Sequence, residues 1–311
     1  MNLFKPNKIK KMKKQSEMLL FFSFISILFC SVYTPSCFAQ ILYAKKDALP
    51  EGWTAGQNLF ETQFQAILVP IHFEIDSNAK PTSISGWLEV NDGKFVLSLN
   101  GVPRNAEQNS LMAVHELTHA LHISYRPHEE KWVQEGVALL SEYLALHKES
   151  ALEKTAYESL ETTLTPDSES MNKESHQDPT MFALYGQLRL FFKFLYKSCG
   201  ERETLYKLIS LQSELSGIPF INLVLSQMDH AHLPNYCKNF DDLFVEFEIR
   251  KYTQTPTRGL DLSPYRGVIS DDRAPHLEPY TAQAYYLIGD SKCQSTDIAI
   301  DANACMQIRT K

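Results

Sequence analysis

Two histidines flank a glutamate in the middle of the chain, in the run His-Glu-Leu-Thr-His at residues 115–119. On a helix, His115 and His119 lie one turn apart and about 40° apart around the axis, so both imidazoles point to the same side. Two imidazoles in this arrangement can bind a single zinc ion, with Glu116 beside them as a general base. The alternative interpretation is a solvated helix face that carries these residues by chance.

A second acidic residue follows at a distance that suits a third ligand. Glu135 stands sixteen residues after His119, in the run Trp-Val-Gln-Glu-Gly-Val-Ala at 132–138. That spacing lets the first helix end near Arg126-Pro127 and the next helix return past it. Two histidines and one carboxylate leave a coordination position open, which is typical of catalytic zinc rather than structural zinc. Glu142, seven residues further on, is predicted to accept a hydrogen bond from a ligating imidazole, unless it is a surface carboxylate.

The two runs together resemble the paired signature of the gluzincin metallopeptidases, in their peptidase MA-like group. The resemblance covers about residues 55–252 and implies a zincin-like fold that binds one Zn²⁺ through His115, His119 and Glu135. It also implies that Glu116 acts as general base on a zinc-activated water that hydrolyses a peptide bond.

Two further residues are interpreted through this resemblance. Tyr185, in Ala-Leu-Tyr-Gly-Gln at 183–187, matches a tyrosine that stabilises the oxyanion, although a packing tyrosine is the alternative. His122 lies three residues beyond His119 on the same face. Because the match at Glu135 is the more specific one, we expect His122 to lie near the ligands without being one of them.

The implied substrate is a peptide or protein. The segment Lys94–Leu99 lacks the glycine-rich, glutamate-containing sequence with which aminopeptidases hold a free amine. The chain is therefore expected to be an endopeptidase or a more restricted hydrolase, with the peptide lying along an edge strand around Lys94–Leu99. The alternative is a non-catalytic zinc-binding or interaction module of the cell envelope.

The pattern of elements predicts an α+β fold, with a small N-terminal mixed sheet followed by a mainly helical bundle. Alternating or β-branched apolar residues predict strands at 65–75, 87–90 and 94–99. Apolar residues at a period of 3.6 predict helices, the first of them capped by Asn105 with Gln108, at 107–124, 130–147, 179–198, 201–215, 219–228 and 240–252. These elements belong to a zincin-like peptidase domain at 40–252. Residues 253–311 are expected to form a loop-rich C-terminal extension.

The first residues have the features of a signal peptide. Residues 1–39 contain six lysines, then the apolar run Met18–Val32, then Cys-Phe-Ala before Gln40. We expect cleavage after Ala39 and export to the periplasm or medium, with no membrane span in the mature chain. An uncleaved membrane anchor and a lipidated cysteine remain alternatives. The whole chain carries a net charge of −7, which disfavours nucleic acid as a partner, and the sequence leaves the oligomeric state open.

Four cysteines remain after such a cleavage: Cys199, Cys237, Cys293 and Cys305. An even number in an exported chain permits two disulfides, for which three pairings exist. Loop length favours Cys293 with Cys305, which leaves Cys199 with Cys237. Free thiols are the alternative, and the sequence contains no Cys-x-x-Cys pair for a cysteine-based zinc site.

Overall fold

A computed structural model describes most of the region in which these motifs lie. The described residues are 41–43, 49–76, 86–91, 94–99, 104–146, 161–163, 179–253, 281–286, 298–301 and 304–309. This set excludes the predicted signal peptide, Cys293 and the side chain of Cys305.

The predicted α+β architecture is present, with a small mixed sheet and a helical bundle. The sheet contains four strands in the order β1, β2, β4, β3, which are Ile41–Tyr43, Ile71–Asp76, Lys94–Leu99 and Gly86–Asn91. Strands β1, β2 and β4 run parallel, and β3 runs antiparallel to β4. The described part also contains seven α-helices, which are α1 Trp53–Phe64, α2 Ala106–Tyr125, α3 Lys131–Leu146, α4 Pro179–Ser198, α5 Arg202–Ser210, α6 Gly217–Ser226 and α7 Phe240–Thr253.

One expectation about the sheet is wrong. Lys94–Leu99 is an internal strand, because β2 pairs with it on one side and β3 on the other. The edge strands are β1 and β3, and β3 contacts helix α2. Although β3 follows β2 in the chain, β4 lies between them in the sheet, and such an order leaves no mark on the local alternation of residues.

Helix α2 carries the first histidine motif and begins at a complete capping box. The side chain of Asn105 accepts a hydrogen bond from the backbone of Gln108 at 2.8 Å, and the Gln108 side chain accepts one from the Asn105 backbone at 3.0 Å. These two bonds satisfy donors that a helix start would otherwise leave unpaired. The helix ends at Arg126, the residue before Pro127, where proline disfavours continued helix. Both boundaries agree with the sequence prediction to within one or two residues.

Helix α3 packs between α2 and α4, and an aromatic core joins it to α4 and α7. Trp132 of α3 lies with its ring centroid 6.0 Å from Phe192 of α4 and 6.0 Å from Phe240 of α7. Phe191 contacts Phe192 and Phe240 at 5.6 and 5.3 Å. All four side chains are at most 2% exposed, so this core fixes α3, which carries Glu135, against α4, which carries Tyr185.

The C-terminal residues contain more regular structure than the predicted loop-rich extension. Strands β6 Thr281–Tyr286, β7 Ile298–Asp301 and β8 Ala304–Arg309 form an antiparallel sheet with the short strand β5 Glu161–Thr163. These strands are three to six residues long, too short for an alternation of apolar and polar residues to be recognised in the sequence.

Cys199 and Cys237 form a disulfide between the end of α4 and the 3₁₀ helix Asn235–Lys238. Both residues are fully buried. The prediction of at least one disulfide is therefore confirmed for this pair, while the pairing of Cys293 with Cys305 stays a prediction. Among the described residues, no helix has both the length and the apolar character needed to cross a bilayer.

Candidate metal centre

Three atoms from neighbouring helices converge on one point. The Nε2 atoms of His115 and His119, both on α2, are 3.0 Å apart. Oε2 of Glu135, on α3, lies 3.4 Å from the first nitrogen and 3.6 Å from the second. These three side chains form a group that could hold a metal ion.

The size of this triangle suits a small metal ion. Ligand atoms at about 2.0–2.1 Å in a tetrahedral arrangement lie roughly 3.4 Å from one another. The three measured separations, from 3.0 to 3.6 Å, bracket that value. Two imidazole nitrogens 3.0 Å apart would direct their lone pairs at each other, and this repulsion is relieved only by a proton or a cation between them. The donor set and its geometry therefore fit a metal.

His115 is oriented from behind by Glu142. Its Nδ1 donates to Oε1 of Glu142 at 2.7 Å, so Nε2 is left with its lone pair directed at the metal position. The other carboxylate oxygen of Glu142 lies 3.1 Å from NH1 of Arg189 on α4. A carboxylate in this position fixes both the tautomer and the ring plane of a ligating histidine.

Glu116 lies beside the triangle and is 7% exposed. Burial raises the pKa of its carboxyl group. The charges of His115 and His119 oppose this rise, whereas those of Glu135 and Glu142 add to it. Burial lowers the pKa of the partly buried Arg104, and the negative charge of Glu116 opposes this fall. Glu116 is therefore a desolvated carboxylate within electrostatic reach of the ligands.

The ligand carboxylate and the ligand imidazole respond to each other. Burial raises the pKa of Glu135, but the neighbouring histidines outweigh it and the pKa falls far below its ordinary value. For His115 the effects have the opposite directions. Burial lowers its pKa, but hydrogen bonds to Glu135 and Glu142 outweigh burial, so the pKa lies well above 6.5. Without a metal ion, the pair therefore stores a proton that a cation would displace.

Tyr185, near the start of α4, approaches the same place. Burial raises the pKa of its phenol well above the ordinary value, and the negative charges of Glu135 and Glu116 raise it further. The phenol is therefore within electrostatic reach of both carboxylates and stays protonated at neutral pH.

His122 has a different environment from the residues above. It lies one turn beyond His119 with its side chain fully buried, and neither ring nitrogen has a hydrogen-bond partner among the described residues. The metal group contains His115, His119 and Glu135 without it.

Neither a scan of protein-family models nor a search of curated proteins finds a match to this chain. The chemistry of the site therefore has to be argued from its own residues.

Sequence reasoning identified the ligand group but missed Arg189. Its guanidinium is 3% exposed, in a helix whose neighbouring residues Leu188 and Leu190 are also buried. A lone arginine within an apolar run was the available signal, because a buried cation needs an anionic partner.

Proposed function

We propose that this chain is an exported zinc metallopeptidase of the gluzincin type. The observation that carries the proposal is the convergence of His115 Nε2, His119 Nε2 and Glu135 Oε2 within 3.6 Å of one another, with Glu116 buried beside them. The motifs behind the sequence resemblance contain the same three side chains, and their convergence supports the proposal.

Zinc is the metal that the donors favour. Imidazole nitrogens together with one carboxylate oxygen suit zinc better than calcium or magnesium, which prefer oxygen ligands alone. Three protein ligands match the number found in catalytic zinc sites. When bound, the ion would supply Lewis acidity, polarising a carbonyl group and making water acidic enough to lose a proton near neutral pH.

Glu116 supplies the base. Its carboxylate takes a proton from the attacking water as the new C–O bond forms at the peptide carbonyl. It then delivers that proton to the amide nitrogen as the C–N bond breaks, which releases an amine and a carboxylic acid. A buried carboxyl group with a raised pKa suits both halves of this transfer.

Tyr185 stabilises the charge that develops on the carbonyl oxygen. Its phenol stays protonated at neutral pH, so it can donate a hydrogen bond to the oxyanion. One such donor typically contributes about 3–4 kcal/mol to the transition state. The substrate is a peptide or protein, and the signal-peptide features of residues 1–39 support action in the periplasm or outside the cell.

Glu116→Gln tests the proposal. The amide keeps the size of the side chain but cannot accept the proton, so zinc content should be unchanged and hydrolysis of a peptide library should fall by about 10²–10⁴. Glu203→Gln, an exposed carboxylate on α5, is the matched control and should leave both unchanged. Tyr185→Phe should keep zinc and lose less activity.

Four outcomes would contradict the proposal in different ways. A wild-type protein without zinc refutes the metal centre. Loss of zinc from Glu116→Gln shows that the residue supports the metal, and full activity in that variant means that another group is the base. A wild-type protein that binds zinc but cleaves nothing in a broad library favours the non-catalytic binding module.

A further inference from the structure

Glu142 holds two partners at once, one on each carboxylate oxygen. Oε1 accepts from Nδ1 of His115 at 2.7 Å, and Oε2 lies 3.1 Å from NH1 of Arg189. From this arrangement we infer that Arg189 is a positioning residue for the metal centre, which acts on His115 through Glu142. The inference rests on the proposed function, because it assumes that His115 binds a metal.

Arg189 is anchored independently of Glu142. Its NH1 also donates to the backbone carbonyl of Leu139 at 2.9 Å, one turn before Glu142 on α3. The guanidinium therefore contacts both the backbone and the side chain of the same helical turn. Because the Leu139 carbonyl holds the guanidinium in place, the guanidinium in turn restricts the rotation of the Glu142 carboxylate.

That restriction passes to the ligand. A carboxylate with one oxygen held by a guanidinium presents the other oxygen in a defined direction. The Nδ1–H of His115 follows that oxygen, so the imidazole plane and the direction of Nε2 are set. Without Arg189, Glu142 could rotate about its last side-chain bond, and His115 would sample more orientations.

Burial makes this restraint effective. The side chains of Arg189, Glu142 and His115 are 4%, 18% and 16% exposed. Water competes little for these hydrogen bonds, and a buried guanidinium is costly unless it stays paired. The contact is therefore more persistent than a surface ion pair.

Helix α4 thereby contributes twice to the centre. Tyr185 and Arg189 are four residues apart on it, so they lie on the same face one turn apart. The first lies within electrostatic reach of Glu116 and Glu135, and the second contacts Glu142, the partner of His115. A shift of α4 would alter both.

The experiment compares Arg189→Met with Lys197→Met in the full-length protein. Methionine keeps much of the apolar stem but removes the donors, and Lys197 is an exposed cation two turns further along α4. Loss of a ligand's own hydrogen-bond partner, here Glu142, typically weakens binding by about 10–100-fold, and Arg189→Met should weaken Zn²⁺ binding by at most that factor. The visible spectrum of the Co²⁺-loaded protein should also change, because it reports ligand geometry. Lys197→Met should change neither.

Arg189→Lys is the second variant, in case Arg189→Met fails to fold. Lysine keeps the charge but lacks the planar fork, so it should restore part of the lost Zn²⁺ affinity. Glu142→Ala supplies the coupling test. If Arg189 acts through Glu142, Arg189→Met should add less than threefold to the loss already caused by Glu142→Ala.

The outcomes separate this inference from the proposed function. Unchanged Zn²⁺ affinity and an unchanged Co²⁺ spectrum in both Arg189 variants, with weakened binding in Glu142→Ala, would overturn the role of Arg189 alone. Equal and additive losses from Arg189→Met and Glu142→Ala would also overturn it. A wild-type protein that binds neither Zn²⁺ nor Co²⁺ would overturn the proposed function, and the inference would fall with it.

Discussion

Gly136 of helix α3 packs directly against the ring of Phe192 on helix α4. A Cβ atom at position 136 would overlap the ring atoms Cδ2 and Cε2. The ring has little room to retreat, because its centroid lies 6.0 Å from that of Trp132 and 5.6 Å from that of Phe191. The glycine next to Glu135 therefore has a packing reason: it lets α4 come close enough for its side chains to reach the metal centre.

Gly136→Ala should destabilise the protein. Overpacking a full core costs about 1–3 kcal/mol, while alanine gains about 1 kcal/mol in helix propensity over glycine. Because the added Cβ would overlap the ring atoms, we expect the overpacking cost to prevail, with a net decrease of up to about 2 kcal/mol in the free energy of unfolding, measured by chemical denaturation. Zn²⁺ binding should weaken as Glu135 shifts. Adding Phe192→Leu should recover part of both losses. Strictly additive effects of the two changes would show that the ring is not the obstacle.

The turn between α2 and α3 is held by a buried ion pair. NH2 and Nε of Arg126 donate to Oε2 of Glu129 at 2.7 and 2.9 Å, and its guanidinium lies 3.2 Å from the ring centroid of Phe220. Oε1 of Glu129 accepts from the backbone of Glu130 and Gly217 at 2.9 and 2.6 Å. Both oxygens of this carboxylate are thus paired, and they connect the turn between the histidine helix and the helix of Glu135 to the start of α6.

Arg126→Met should therefore lower the free energy of unfolding by about 3–5 kcal/mol, because Glu129 would remain buried without its cation. The exposed pair of Lys207 and Glu203 on α5 is the control. Glu203→Gln should cost less than about 1 kcal/mol, as surface ion pairs do. Equal losses from the two variants, measured in urea, would mean that the turn is not held by this pair.

His122 should make the protein sensitive to acid. Burial, and then the charges of His119 and Arg126, lower its pKa to about 3, against 6.5 for an unperturbed histidine. Between these values the unfolded chain binds a proton that the folded chain does not, so stability is lost as the pH falls through this window, by up to about 1.4 kcal/mol per pH unit.

His122→Leu should remove that part of the pH dependence. Unfolding of the metal-free protein between pH 6.5 and pH 3 should show a shallower slope than wild type. At pH 7 the variant should be at least as stable, since neither ring nitrogen has a hydrogen bond to lose among the described residues. Zn²⁺ affinity should be unchanged. Parallel slopes would refute the assignment, and loss of zinc would mean that the ligand set includes His122.

The disulfide should stabilise the fold without affecting the metal centre. Cys199 and Cys237 are 38 residues apart in sequence, and a crosslink of that span contributes about 4 kcal/mol in the chain-entropy model. Replacing both with alanine should lower the melting temperature. Zn²⁺ affinity at 25 °C should not change, because Cys199 lies about 20 Å along α4 from Tyr185. A large loss of Zn²⁺ affinity would show that a change at the C-terminal end of α4 alters the position of the residues near its start.

The sequence predicted the elements that carry strong local signals. Helix α2 has a capping box at its start and a proline after its end, and its bounds were accurate. Helix α1 was missed because its start carries no capping signal: its N-cap is Gly52, which forms no side-chain hydrogen bond. Its buried residues Trp53, Gly56, Phe60 and Phe64 do keep helical spacing, so the periodicity was present in the sequence. Strand β1 has three residues, too few for an alternation to be recognised.

Long-range relationships were the main limit. The ligand group and Glu142 could be predicted because helical spacing places them on shared faces. The contact of Arg189 with Glu142 joins residues 47 positions apart. Which strand forms the sheet edge likewise depends on the pairing of β2 with β4, which is decided by tertiary packing and not by the residues of either strand.

The three ligand atoms come from two consecutive helices within a stretch of 21 residues, 115–135. Closing so short a loop costs little entropy, so we expect the α2–α3 hairpin to bring them together early in folding, whereas Arg189 and Tyr185 arrive only when a distant helix docks. The three ligand atoms are then expected to meet at one step of folding, and Tyr185 and Arg189 to join them at a later step. Under the proposed function, a chain that has formed only the hairpin would have its three ligand atoms together but would lack the oxyanion donor Tyr185 until α4 is in place.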